Sequence, residues 1–212
     1  MTKRLKIICS EIERCNTFGD IGCDHGFISE YVLKNNLCET AIITDISIQS
    51  LQKAEELLKI YLENGKCISY CTDGLKAVKQ EVNLAVIAGM GGREIISILS
   101  EKMPKKLILQ PMKNQYELRK FLTENYTIKK DYIFSEGKRF YDLIVCEKGS
   151  SFLTENELIF GITNLKEKGV DFLNKIKKEL FKTENYLKNV ENKNTKDILQ
   201  LKIKSLKEII YE

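Results

Sequence analysis

The chain has a single histidine, His25, and its seven cysteines are never spaced C-x-x-C. Without a second imidazole or a paired-thiol spacing, no nitrogen-rich metal centre, zinc ribbon or redox pair is indicated. No segment approaches the roughly 18 consecutive apolar residues that a membrane-spanning helix needs. The run MTKRLKIICSEIERC has too short an apolar stretch, and acids too early, for a secretory signal. The expected location is therefore the cytoplasm, with no membrane and no metal. Repeats of long period and low-complexity segments are also missing, which excludes a solenoid or a disordered array.

What is there reads as globular. The 212 residues are 43% hydrophobic and 30% charged, enough for one domain of about 150 residues plus an appendage. Most of the cysteines are expected to be small buried hydrophobes. The net charge of +4 is unevenly shared. Residues 156–212 carry 12 Lys against nine acids, leaving 22 Lys and Arg against 21 acids in residues 1–155. That bias permits a polyanionic partner, although a basic helix face is more often simply solvated.

From residue 16 short β-rich runs alternate with helical ones. NTFGDI, TAIITDI, KCISYC, NLAVIAGM and KKLILQP read as strands. GFISEYVLKNN, SIQSLQKAEELLKIYLENG, GREIISILSEK and QYELRKFLTEN read as helices, with a short helical turn at LKAVKQ. YTIKKDYIFSEG and KRFYDLIVCEKG then form a hairpin about Glu136-Gly137. Repeated β-α units imply an α/β fold, a doubly wound parallel sheet, to which the hairpin adds an antiparallel strand. Beyond Ser150 the pattern turns helical. Leu173, Ile176, Leu180, Leu187 and Val190 form one stripe, with a gap at Thr183, and Leu199, Ile203, Leu206 and Ile210 form a second. Joined through ENKNT, they predict an antiparallel helical hairpin, a short coiled coil. The expected division is 1–150 and 151–212.

The informative stretch is DIGCDHG, Asp20 to Gly26, at the junction of the first strand and first helix. Ligands of doubly wound sheets bind at that position. Gly22 and Gly26 permit a tight turn and close approach, but the glycine spacing alone is weak evidence. Asp20 would repel a pyrophosphate and attract an amine or sulfonium. Asp45 closes the second strand 19 residues after Gly26, where an acid bonds ribose hydroxyls. Asp73, after the third strand, is placed for the exocyclic amine of an adenine. Three acids after three consecutive strands are thus expected to surround S-adenosylmethionine, although Asp-Gly is also a turn former. The fourth strand ends in AGMGG, Ala88 to Gly92, which would line the reaction site. It departs from the Asn/Asp-Pro-Pro-aromatic motif of amino-group methyltransferases, so a ring nitrogen is the expected acceptor.

These residues resemble the bacterial TrmK family, the tRNA (adenine-22-N1)-methyltransferases. The likeness rests on DIGCDHG, the acid of ITDI, TDGL, IAGMGG, LILQPMKN with LRKFL, and GKRFYDLIVCEKG, in order, over about residues 3 to 150. It implies a class I Rossmann-like methyltransferase fold, S-adenosylmethionine as donor and N1 of an adenine in the tRNA D-region as acceptor. The base would be splayed out beside Met90, Gly91 and Gly92. The cofactor is then expected among Asp20, Gly22, Cys23, Asp24, His25, Gly26, Asp45, Ile46, Asp73, Gly74, Ala88, Gly89 and Met90.

His25 is read as bordering the cofactor's methionine end or the substrate entrance, and as a candidate catalytic group; Cys23 has no evident base and is not read as a nucleophile. Gln110 and Lys113 are candidates for the base pocket. Arg4, Arg14, Arg93 and Arg139, with the Lys-rich hairpin, are candidates for phosphate contact. The expected unit is a monomer. Two rivals remain: an NAD(P)-dependent oxidoreductase, which would share the first loop and Asp45, and a non-enzymatic tRNA- or protein-binding module.

Overall fold

In the computed structural model, which describes residues 1–211, seven strands form one sheet in the order β3-β2-β1-β4-β5-β7-β6. The five parallel strands are β1 (Cys15–Ile21), β2 (Cys38–Asp45), β3 (Cys67–Cys71), β4 (Leu84–Met90) and β5 (Lys106–Pro111). Their central residues are apolar on both faces because helices cover both sides, as parallel sheets require. Phe18, Ile43, Val86 and Ile108 enter one core, and Ile21, Ile42, Ile87 and Leu109 the other. Each such fully buried side chain stabilises the fold by about 1.5–3 kcal/mol.

The hairpin of β6 (Tyr126–Glu136) and β7 (Arg139–Lys148) inserts β7 antiparallel against β5 and leaves β6 at the edge. Its turn reaches past the carboxyl ends of the parallel strands, since Leu109 of β5 pairs with Ile144, five residues beyond Arg139.

The helices covering the sheet start with α1 (Lys3–Ser10), α2 (Phe27–Lys34), α5 (Gly92–Glu101) and α6 (Gln115–Asn125). The long helix expected after β2 is broken into α3 (Ile48–Leu57) and α4 (Lys59–Glu63). At the break the Leu58 carbonyl accepts both Tyr61 N and Leu62 N, and the Leu58 side chain stays fully buried close to Gly26. LKAVKQ forms hydrogen-bonded turns that do not propagate into a helix.

After Ser150 come α7 (Glu155–Phe160), α8 (Ile162–Glu167), α9 (Val170–Lys188) and α10 (Lys193–Tyr211). The last two, joined by four residues, pack on each other, while α8 and α9 lie on β6. Phe172, Ile176, Leu180, Leu206 and Ile209 close a third core over Ile133. Thr183, the gap in the apolar stripe, is buried and donates its hydroxyl to the Glu179 carbonyl, so the helix face continues through it.

A buried charge cluster joins these helices to the sheet. Arg119 of α6, 1% exposed, donates Nε and Nη2 to Asp131 at 2.6 and 2.9 Å and Nη2 to Asp142 at 2.9 Å. Its Nη1 reaches the carbonyls of Leu158 and Ile159 in α7. Among the described residues, no helix is long and apolar enough to cross a membrane.

Candidate functional site

A cavity of about 760 Å³ opens at the carboxyl ends of β1 to β4, within the usual range for a small-molecule site. β1 delivers Gly22 and Asp24, β2 Asp45 and Ile46, β3 Thr72, Asp73 and Gly74, and β4 Ala88, Gly89 and Met90. Thus nine of the thirteen expected cofactor residues line one wall. Arg4 of α1, Glu94, Ser97 and Ile98 of α5, and Met112 complete it.

The other four expected residues build the loop without facing the cavity. Gly22 has φ +71°, and a Cβ there would collide with the Met90 Cε. Gly22 N and Cys23 N both donate to Thr44 O, which ties the loop to β2. Cys23 is buried in the core, and burial pushes its thiol far above the usual pKa, so it stays protonated. Gly26 (φ +73°) begins α2 pressed against Ala54, where a side chain would have no room.

Asp20 is buried too. It accepts Ser29 N at 3.2 Å and Ser29 Oγ at 2.8 Å on one carboxylate oxygen, locking loop to helix. Burial pushes its carboxyl up to about 7, against those two bonds, which lower it. Asp20 therefore shapes the site from behind, and Asp24 is the loop acid that faces the cavity.

Asp45 holds the centre. Its Oδ2 accepts Asp24 N at 3.1 Å and its Oδ1 accepts Ser47 N at 2.8 Å. His25 stands outside the lining. Its Nδ1 lies 2.9 Å from Asp24 Oδ2, and its ring stacks on Phe27 at 5.8 Å.

AGMGG, expected to line the reaction site, does so only in part. A Cβ at Gly91 would press on the Lys113 side chain, and one at Gly92 on the Asn114 backbone. Gly92 N donates to Lys113 O, and Met112 N to Met90 O, both at 2.8 Å. The last two glycines let the β5–α6 loop lie against β4, and Met90 is the member of the triplet that faces the cavity.

Of the expected substrate residues, Arg4 lines the cavity and Gln110, fully buried, holds it through Oε1 at 2.8 Å. Arg93 pairs with Glu117 at 3.0 Å, and Lys113 Nζ lies 4.0 Å from Glu94. Arg139 opens β7 on the cavity side. Arg14 precedes β1 at the amino ends of the parallel strands, away from the cavity.

Thr72, Glu94, Ser97, Ile98 and Met112 were not legible as site residues. The one available signal was spacing: Glu94, Ser97 and Ile98 stand three and four apart at the start of the helix after AGMGG, and so share the face over the strand ends. Among the described residues, no three or more His, Cys, Asp and Glu gather as a metal-ligand set.

Sheet order, strand-end acids and cavity define a Rossmann-like methyltransferase. A Streptococcus pneumoniae protein solved in complex with S-adenosyl-L-methionine superposes with TM-score 0.89 at 28% identity, covering 100% of both chains. The Bacillus subtilis m1A22 tRNA methyltransferase TrmK superposes with TM-score 0.85 at 26% identity, covering 99% of this chain and 98% of that one. By sequence, the tRNA (adenine(22)-N(1))-methyltransferase of Bacillus subtilis is 27% identical over 99% of this chain and 97% of its own length. The family model for TrmK, tRNA (adenine(22)-N(1))-methyltransferase, matches residues 18–209. The chain belongs to the TrmK family.

Proposed function

We propose that this chain methylates N1 of adenine 22 in tRNA, using S-adenosylmethionine, in the cytoplasm and as a monomer. The observation that carries the reading is the single cavity onto which successive strand ends bring Asp24, Asp45 and Asp73. A dinucleotide's pyrophosphate would be repelled there, whereas the three acids suit a cationic amino-acid end, a ribose diol and an adenine amine. This disfavours the oxidoreductase reading. A degenerate binding module has no use for Asp45 held by two backbone amides.

Bound S-adenosylmethionine supplies a methyl group on a positively charged sulfur. Asp45 would hold the ribose, Asp73 would meet the base edge, and the Gly22 turn with Met90 would border the methyl-bearing end. Adenine N1 attacks with its own lone pair and carries no proton at neutral pH, so no side chain has to act as base. The protein contributes placement and an acidic wall suited to the positive charge that passes from sulfur to the base.

Residues 1–150 would do this chemistry and residues 151–212 would grip the RNA. Lys175, Lys178, Lys182 and Lys202 cluster beside Phe140, on the ribbon whose tip rises at the cavity side. Arg93, Lys113 and Arg139 would meet phosphates nearer the base.

The test is transfer of labelled methyl to unmodified tRNA transcripts, followed by nucleoside analysis. Label recovered as 1-methyladenosine, and lost when adenine 22 is replaced, is the expected result. Equal labelling of transcripts lacking that adenine would refute the assignment.

A further inference from the structure

A second hollow lies on the helical hairpin. This groove of about 540 Å³ lies between α9 and α10 and extends from Phe140, at the turn of the ribbon, to Tyr186. Thr183, the gap in the apolar stripe of α9, lines it. A threonine is smaller than the leucines at 180 and 187 on either side of it, so the hollow follows from the gap.

Four lysines and one acid line the groove. Lys202 pairs with that acid, Glu179, at 2.6 Å, and Lys175 Nζ lies 3.5 Å from Asp142. Lys178 places its Nζ 5.7 Å from the centre of the Phe140 ring, and neither it nor Lys182 has an ion-pair partner among the described residues. Two positive charges thus stay uncompensated, which suits a polyanion.

Tyr186 is the lining residue that packing does not explain. It is 61% exposed, belongs to none of the three cores, and its hydroxyl has no hydrogen-bond partner among the described residues. An open aromatic face beside free cations is the arrangement on which nucleobases stack. Lys178, Lys182 and Tyr186 follow one another at intervals of four, so they stand in a row on one side of α9, neighbours about 5–6 Å apart. That spacing suits the phosphate and base of one nucleotide, with the next phosphate one turn back. A base can stack there only if a duplex does not already cover both of its faces, so the groove selects a nucleotide from a loop or bulge.

The groove is also separate from the reaction site. In the sheet β7 stands two strands from β4, about 10 Å away, and Tyr186 is about 12 Å along α9 from Lys178. A base on Tyr186 is therefore a different one from the base in the cavity.

We propose that the groove takes one unpaired nucleotide of the tRNA other than the one methylated, with its base on the Tyr186 ring and its phosphate between Lys182 and Lys178. This rests on the RNA reading above and narrows it: the hairpin recognises single-stranded character, where lysines alone would hold any phosphate backbone.

The experiment titrates unmodified tRNA transcript against the full chain at a series of salt concentrations. Tyr186→Ala is expected to weaken tRNA binding roughly five- to a hundredfold, the range of one lost base–aromatic stack. The slope of log K against log salt should stay unchanged, since no charge is removed. Tyr186→Phe keeps the ring face and should bind within about twofold of the unaltered protein. S-adenosylhomocysteine affinity should be the same in both variants as in the unaltered protein, which shows that they are folded. Unchanged tRNA affinity in Tyr186→Ala would make the ring a plain surface residue and overturn the proposal. Tyr186→Phe as weak as Tyr186→Ala would make the hydroxyl the contact, and a reduced salt slope in Tyr186→Ala would make the ring a mere support for the lysines; either overturns the stack. These results leave the RNA reading standing. An unaltered protein that binds no tRNA would refute that reading and this proposal together.

Discussion

Replacing Arg119 by Met keeps most of the aliphatic stem and removes the charge from the buried cluster. Asp131, fully buried, then loses both of its guanidinium bonds, and Asp142, 4% exposed, loses one. The Leu158 and Ile159 carbonyls lose their donor as well. Breaking one side of a buried ion pair costs about 3–5 kcal/mol, because the remaining charge has no compensation. Asp142 keeps Lys175 at 3.5 Å, so the burden falls on Asp131.

For a chain of this length each kcal/mol corresponds to about 2–4 °C, so the melting temperature should drop by roughly 6–20 °C. The sign with pH is also fixed. Burial raises the Asp131 carboxyl, and Arg119 is the main group opposing it. Without Arg119, Asp131 is pushed further up, and protonating it relieves the penalty. The deficit should therefore be smaller at pH 5 than at pH 8, and adding Asp131→Asn should recover much of it. Urea unfolding at both pH values is the assay. A loss below about 1 kcal/mol at pH 8, or one independent of pH, would refute the account of the cluster as a charge-compensated joint.

Asp20, raised to about 7 in the fold from about 3.9 in the unfolded chain, binds its proton more tightly when folded. Its contribution to stability is thus full below about pH 4 and declines as pH rises toward 7, and Asp20→Asn should flatten that slope in melts at a series of pH values; an unchanged slope would contradict the assignment. Gly22→Ala places a side chain at φ +71° against Met90. The backbone penalty of about 1–2 kcal/mol, and the displaced Met90, should weaken S-adenosylhomocysteine binding in a titration, and normal affinity would count against the loop's role. Lys178→Ala with Lys182→Ala should weaken tRNA binding and reduce the slope of log K against log salt by roughly 1–2. Cofactor affinity should not change, and an unaltered slope would remove the hairpin from the RNA path.

The parallel strands were legible because burial on both faces makes TAIITDI and NLAVIAGM almost continuously apolar. Helix continuity was less so. Nothing in ELLKIY distinguishes a helix that runs on from one that breaks at Leu58, a side chain that is fully buried beside Gly26, some thirty residues earlier in the chain. The strand-end acids could be found because topology sets their positions, but topology does not tell which loop acid faces in, and Asp24 replaces Asp20 at the wall. All of AGMGG was expected to line the reaction site, and its last two glycines are instead room for a neighbouring loop. Arg14 looked equivalent to Arg4. Only the course of α1 over the face of the sheet separates them, with Arg4 at the cavity and Arg14 at the amino end of β1.

The hydrogen bonds of Arg4 reach partners 106 and 132 residues downstream. A chain still emerging from the ribosome has its glycine loop and Asp45 long before Gln110, Glu136 and Tyr141 exist to hold the guanidinium. Local segments can fold as they appear, but contacts of such separation wait for synthesis of the late ribbon. The cavity's positive corner is therefore among the last parts of the site to mature, and a chain stalled before the ribbon would display the strand-end acids without the cation that faces them.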